Sequence, residues 1–202
     1  MIQIIPKPYW YLRHGETDWN RQGLAQGRTD IPLNETGQKQ AIEAGEILAG
    51  FFRDGHRLFD RIVSSPLSRA LETATYTRDI IQAQSGVDLP LQIQDELIEV
   101  CFGIHEGTPM GEWYIPWIEK GRLLEGGESF QELTDRAIAT LNTELKVGGT
   151  PLFVAHGALF RGLRAGMGLP TNIRLPNAIP LSLEPSNGIW SIAKYDRSNL
   201  II

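Results

Sequence analysis

The stretch Tyr9–Asn20, "YWYLRHGETDWN", runs an aromatic, strand-like segment straight into Arg13-His14-Gly15-Glu16. Pro6 and Pro8 precede the strand, where missing amide hydrogens are tolerated. Its carboxyl end presents a cation, an imidazole and a glycine together. Two later runs end in a similar way. "RIVSS" (Arg61–Ser65) stops at Ser64-Ser65 with Arg69 close behind, and "PLFVAHG" (Pro151–Gly157) stops at His156-Gly157.

Helical patterns separate these strands. From Gly37 to Phe52, Ala41, Ala44, Leu48 and Phe51/Phe52 recur at helical spacing. Pro66 suits the first position of a helix running to about Gln84, and "LPLQI" (Leu89–Ile93) is the next strand. Ser129-Phe130-Gln131-Glu132 fits a capping box, so a helix is expected from there to about Leu145. Another is expected over Ala158–Met167. The segment "AIPLSLEPSNGIWSIAKYD" reads as two strands joined at a Pro185–Gly188 turn. Alternation of this kind predicts an α/β fold, a three-layer α/β/α sandwich around a mostly parallel sheet. Ligands of such sheets gather at the carboxyl ends of the strands.

The 202 residues suit a single domain, with a Gly- and aromatic-rich, lid-like insertion at about 107–128 that holds at most a short helix. No apolar run approaches the roughly 18 residues of a membrane span. No basic leader followed by an apolar stretch opens the chain, and Cys101 is its only cysteine, which together predict a cytoplasmic protein. The net charge of −5, from 19 basic against 24 acidic residues, argues against nucleic acid or an anionic membrane as partner. No heptad or apolar stripe sets an oligomeric state.

The three strand ends pose a phosphate question. A phosphoryl dianion needs fixed donors, best supplied by guanidinium forks and by amides at a helix N-terminus. Arg13 and Arg69 supply forks. Gly15 and Gly157 permit close backbone approach, and the helix beginning near Ala158 would aim its free amides at the same place. Asn20 and Gln26, in the loop after His14, add neutral donors. Neutral imidazole attacks phosphorus, and a surrounding cluster of Arg13, Arg69 and His156 is expected to keep His14 unprotonated. A carboxylic acid is still required for the leaving oxygen, and Glu16, Glu96, Glu99 and Glu106 all qualify by spacing.

At this point the residues resemble a family. "LRHGETDWN", "QGRTDIPLNETG", "VSSPLSRALETA", "LIEVCFGIHEG", "GGESFQEL" and "FVAHG" occur in the order of the histidine phosphatase superfamily, phosphoglycerate mutase-like branch, over roughly residues 9 to 195. An Arg-His-Gly triplet alone is weak evidence. The ordered set is strong. The resemblance implies that His14 is the phosphorylated nucleophile, that Arg13, Arg69 and His156 form the phosphate pocket with Asn20 assisting, and that Glu99 is the proton donor. It places Gln26 and Gly27 in a loop that closes over substrate. Where the family's "G-x-W-E-G" element has Trp, this chain has His105.

Trp113 and Trp117, four residues apart, would share a helix face and offer an aromatic wall to the substrate, with packing of the insertion against the core as the other reading. The four histidines include no close-spaced ligand pair, so neither metal nor cofactor is expected. The resembled mutases carry a lysine and paired arginines after the proton donor, whereas Val100–Glu119 contains no Lys or Arg. The expected activity is hydrolysis of a small phosphorylated metabolite. Mutase-type phosphotransfer is the alternative, and an inactive phosphate-binding member a more distant one.

Overall fold

The computed structural model describes residues 3–197; the expected 1–202 domain therefore extends beyond the described residues at both ends. β1 (Tyr9–Arg13) is buried up to its last residue. The segment after it, read as loop from the sequence, contains the short α1 (Asp18–Gln22), which Thr17 and Asn20 close with a reciprocal capping box. α2 (Glu35–Arg53) begins at an Asn34 cap, and β2 (Arg61–Ser64) is fully buried.

α3 (Ser68–Ser85) starts two residues later than Pro66 suggests, because Leu67 is still extended at φ −66° and ψ 136°. Its cap comes from elsewhere in the chain. Oδ1 of Asp30 accepts from the Ser68 amide at 2.9 Å and from the Ser68 hydroxyl at 2.8 Å. β3 (Leu91–Ile93) is short, and α4 (Tyr114–Lys120) is the one helix of the 107–128 segment. α5 (Phe130–Lys146) carries the expected Ser129/Glu132 capping box. β4 (Pro151–Ala155) and α6 (Gly157–Gly166) follow.

β5 (Leu181–Ser186) and β6 (Ile189–Lys194) close the described chain as a hairpin. Its turn is tighter than expected. Asn187 and Gly188 both have positive φ, 50° and 78°, which suits a two-residue turn and leaves Pro185 and Ser186 in the strand.

The six strands lie in the order β3-β2-β4-β1-β5-β6. The first four are parallel, while β5 runs against β1 and β6 against β5. Side chains alternate across the sheet. Trp10, Leu12, Ile62, Leu152 and Val154 face α2 and α3, with Ala44, Leu48 and Ala74. Tyr9, Tyr11, Val63 and Phe153 face the other way, with Trp117, Leu141 and Leu159 of α4, α5 and α6. This is a three-layer α/β/α sandwich. Full burial of a side chain such as Leu12 is worth about 1.5–3 kcal/mol, so both faces contribute to holding the central strands.

Candidate active site

Sheet register builds the site. Arg13 of β1 stands beside Ala155 of β4, and Ser64 of β2 stands beside Val154. The pairing runs one residue further: the His14 amide donates to the Ala155 carbonyl at 2.9 Å, and the Ser65 amide to the Val154 carbonyl at 3.0 Å. His14, Ser65 and His156 thus leave the sheet at one level. The rings of His14 and His156 are 5.3 Å apart by centroid. Tyr11, whose role the sequence reading missed, pins the second turn: its hydroxyl donates to the His156 carbonyl at 2.8 Å and accepts from the His156 amide at 3.1 Å.

The protonation of His14 follows from its neighbours. Nδ1 lies 2.7 Å from the Gly15 carbonyl, which only accepts, so Nδ1 carries the proton and Nε2 presents a bare lone pair. Burial first, and then Arg69 and Arg13, hold the ring well below the usual histidine range. The sequence reading credited the arginines; desolvation is the larger cause. His156, fully buried, is likewise held well below that range, by burial and then by Arg69, His14 and Arg13. Its Nε2 is 2.7 Å from the Ser65 hydroxyl, which also receives the Leu67 amide at 3.4 Å. A Ser65 hydroxyl that donates to Nε2 leaves the ring proton on Nδ1.

Arg69 is fully buried on α3 and spends its fork on the Gly27 and Thr29 carbonyls, at 2.7 and 2.9 Å. Arg13 donates through Nη1 to the Leu175 carbonyl at 2.6 Å. Burial lowers its pKa to about 10, with Arg174 adding to the fall and Glu99 opposing it. Nε of Arg13, Nε of Arg69 and Nδ1 of His156 are buried without a partner in the protein. Among the described residues the only other such side-chain atom is Nε of Arg61. An unsatisfied buried donor costs about 1–3 kcal/mol, and an oxyanion placed among these three would relieve it.

The structure separates the four candidate acids. Glu96 is exposed. Glu16 accepts from the Asn34 side chain at 2.9 Å, and Glu106 is occupied by the Arg28, Thr29 and Phe102 amides. Glu99 alone of the four lines the cavity that contains His14. Its carboxylate seals the start of α6, accepting from Ala158 N at 3.0 Å and Leu159 N at 2.9 Å. Arg136, paired with Glu128 at 2.9 Å, steadies the segment before it by donating to the Ile98 carbonyl at 2.8 Å.

The cavity is about 330 Å³, and Arg13, His14, Asn20, Gln26, Gly27, Arg69, Glu99, Gly157 and Ala158 all border it. Their parts differ from expectation at two places. The Ala158 amide is given to Glu99, so it is not the free donor the sequence suggested. Gly15 is needed for α2 rather than for a ligand, because a Cβ there would collide with the Gly37 carbonyl. Gly157 does stand against the site, where a Cβ would lie 3.3 Å from Nε of Arg13. Gln26 accepts from the Thr17 hydroxyl at 2.9 Å, and Asn20 from the Asn177 amide nitrogen at 3.1 Å. Asn177 also donates to the His14 carbonyl at 2.9 Å.

Of the two readings of Trp113 and Trp117, the structure has the packing one: both belong to the core and neither borders the cavity. They share a face, as their spacing requires, but it is the face turned into the core. Trp117 is fully buried and donates to the Glu128 carbonyl at 3.0 Å; Trp113 donates to the Pro109 carbonyl at 3.2 Å. His105, at the place of the family's Trp, stacks on Trp113 at 4.4 Å and 13°. The cavity wall is instead made by Tyr114, Phe102, Met110 and Leu24. Arg161 and Arg174, also unforeseen, border it too. Arg161 was legible in principle, since it follows Gly157 by four residues on α6.

A neutral imidazole with a bare nitrogen and buried, unpartnered side-chain nitrogens border one cavity. The model of the histidine phosphatase superfamily (branch 1) matches residues 9–199. The chain belongs to that superfamily. It is an enzyme of the histidine phosphatase type. A curated relative, "Uncharacterized phosphatase PhoE" of Bacillus subtilis (strain 168), is 36% identical over 191 residues, covering 92% of each chain. "Probable phosphoglycerate mutase GpmB" of Salmonella paratyphi A is 33% identical over 207 residues, covering 94% of this chain and 88% of its own. Among solved structures, a mycobacterial glucosyl-3-phosphoglycerate phosphatase superposes with a TM-score of 0.76 at 25% identity, covering 94% of this histidine phosphatase and 99% of its own chain. No helix among the described residues is long and apolar enough to cross a membrane.

Proposed function

We propose that the protein is a metal-independent phosphatase that hydrolyses small phosphomonoesters through a phosphohistidine on His14, with Glu99 as proton donor. The observation that carries this reading is the set of three buried, unpartnered donors, from Arg13, Arg69 and His156, beside an imidazole whose bare nitrogen is Nε2. In the first step Nε2 of His14 forms a bond to phosphorus as the P–O bond to the alcohol breaks. Glu99 gives its proton to the departing oxygen. In the second step water attacks the phosphorus of phosphohistidine, Glu99 takes back a proton, and the N–P bond breaks to release inorganic phosphate. Arg13, Arg69 and protonated Nδ1 of His156 bind the equatorial oxygens in both steps, worth most where water is excluded. Asn20 and Gln26 supply neutral donors. No step calls for a metal or a cofactor.

The setting we infer is a single cytoplasmic domain acting on a small phosphorylated metabolite, with residues 107–128 as a lid-like insertion. Phosphoglycerate mutase activity is the second reading. Scarcity of cations after Glu99 spoke against it in the sequence, but Arg161 and Arg174 bring two cations to the cavity from further along the chain. The deciding experiment is hydrolysis of p-nitrophenyl phosphate in EDTA, with trapping of an acid-labile, alkali-stable phosphoenzyme that His14→Ala abolishes. Survival of that species in the variant would sink the assignment of His14. Interconversion of phosphoglycerates stimulated by the bisphosphate would establish the mutase instead.

A further inference from the structure

Residues 175–178 cross the end of β1 and bond to three residues of the site. The Leu175 carbonyl accepts from Nη1 of Arg13 at 2.6 Å, and the Ala178 amide donates to the Arg13 carbonyl at 2.9 Å. Between them, Asn177 gives its side-chain nitrogen to the His14 carbonyl at 2.9 Å and to Oδ1 of Asn20 at 3.1 Å. Ala178 is buried with a φ of 46°, a left-handed conformation unfavourable to alanine. The chain tolerates this strain in a turn whose single polar side chain, Asn177, reaches the backbone of the nucleophile.

These bonds fix which end of the Asn20 amide meets a ligand. A backbone carbonyl only accepts, so the Asn177 atom facing His14 is the NH₂ group, whose second hydrogen goes to Asn20. A backbone amide only donates. That of Thr17 lies 3.4 Å from the same Asn20 atom, which is therefore the oxygen. Oδ1 of Asn20 thus takes two donors, and the shorter bond comes from Asn177. Nδ2 of Asn20 has no partner among the described residues and is the polar end left for the cavity that Asn20 borders.

We propose that Asn177 is a positioning residue that holds Asn20 as a hydrogen-bond donor, so that the neutral contact to the phosphate is set before binding. Without Asn177, the Asn20 amide keeps only the longer bond from Thr17 and is free to turn. An amide oxygen facing the anion would repel it. The inference rests on the phosphatase reading for placing a phosphate beside Asn20, but not for the orientation of the amide. The effect of Asn177 on phosphate must then pass through the Asn20 side chain, which a role in packing alone would not require.

The test is a double-mutant cycle read by calorimetry with inorganic phosphate. Asn177→Ala should weaken binding about fivefold in the wild-type background and by less than about twofold in Asn20→Ala protein. Asn177→Asp fills the same space should the alanine variant not fold. Its carboxylate only accepts at neutral pH, so it should draw the Asn20 nitrogen away from the cavity and weaken phosphate binding about tenfold. Asn20→Ala should remove most of that loss. Losses that are the same with and without the Asn20 side chain would overturn the proposal, whether they arise from His14, from packing or from charge. Unchanged affinity in both Asn177 variants would overturn it too. A wild-type protein that shows the coupling but forms no phosphohistidine would sink the phosphatase reading and leave the role of Asn177 standing.

Discussion

The imidazoles of His14 and His156 face each other at 5.3 Å, and each is tied by one nitrogen to a neutral oxygen, the Gly15 carbonyl and the Ser65 hydroxyl. Both are held neutral well below 6.5, first by burial and then by the arginines. An unfolded chain protonates these histidines as pH falls through about 6.5, while the folded chain does not. Proton uptake then favours unfolding. Thermal stability should therefore decline from pH 6.5 towards pH 5, and His156→Gln should flatten the decline. In kcat/KM, the acid limb assigned to His14 should lie below 6.5; a limb centred at 6.5 would contradict the environment described.

Glu99→Gln separates the acid from its structural task. Ala158 N and Leu159 N donate to different oxygens of Glu99, so glutamine keeps an acceptor for only one of them, and it has no proton to give at neutral pH. Turnover of glycerol phosphate should fall by about 10²–10⁴-fold, and that of p-nitrophenyl phosphate, whose leaving group needs less protonation, by much less. One buried amide loses its acceptor, so the melting temperature should drop by an amount equivalent to about 1–3 kcal/mol. Equal losses on the two substrates would move the acid role to another group.

Ser65 acts through His156. Ser65→Ala removes the partner of Nε2 and lets the ring exchange tautomers, so ¹⁵N spectra should show the loss of the Nδ1–H form. A hydrogen bond worth about 1–1.5 kcal/mol corresponds to a fall in kcat/KM of about tenfold. Unchanged spectra with the same kinetic loss would assign Ser65 a packing role only.

Two glycines flank the histidines and should fail differently. Gly15→Ala drives a methyl into the Gly37 carbonyl, backbone against backbone, and should destabilise the fold by about 1–3 kcal/mol. Gly157→Ala places a methyl 3.3 Å from Nε of Arg13, a side-chain atom that can shift. Its inhibition constant for inorganic phosphate should rise, by roughly fivefold for about 1 kcal/mol of lost contact, with little change in melting temperature.

Much of this arrangement was legible in the sequence because its signals are local. Strand ends carrying Arg13-His14, Ser64-Ser65 and His156-Gly157 can be read from alternation alone, and parallel pairing then sets them level. Glu99 could not be chosen by spacing because it sits in irregular chain after β3, and its place depends on α6 offering amides and on Arg136 holding the backbone. The two readings of Trp113 and Trp117 stayed open for a related reason: helical periodicity says which residues share a face but not which way that face turns. Arg174 and Asn177 carry no pattern of their own. They reach the site because β5 pairs with β1 and draws the preceding segment over the end of the strand.

β1 has its two sheet neighbours in β4 and β5, elements that lie more than a hundred residues later in the chain. During synthesis the aromatic strand bearing His14 emerges well before both of its neighbours and must wait for them unpaired. Until the segment near Asn177 arrives, the His14 carbonyl also lacks its side-chain partner. The site around His14 is therefore complete only once β4, β5 and the segment between them have been made. That same wait leaves "YWYL" as an unpaired apolar strand edge, the kind of segment through which early chains stick to one another.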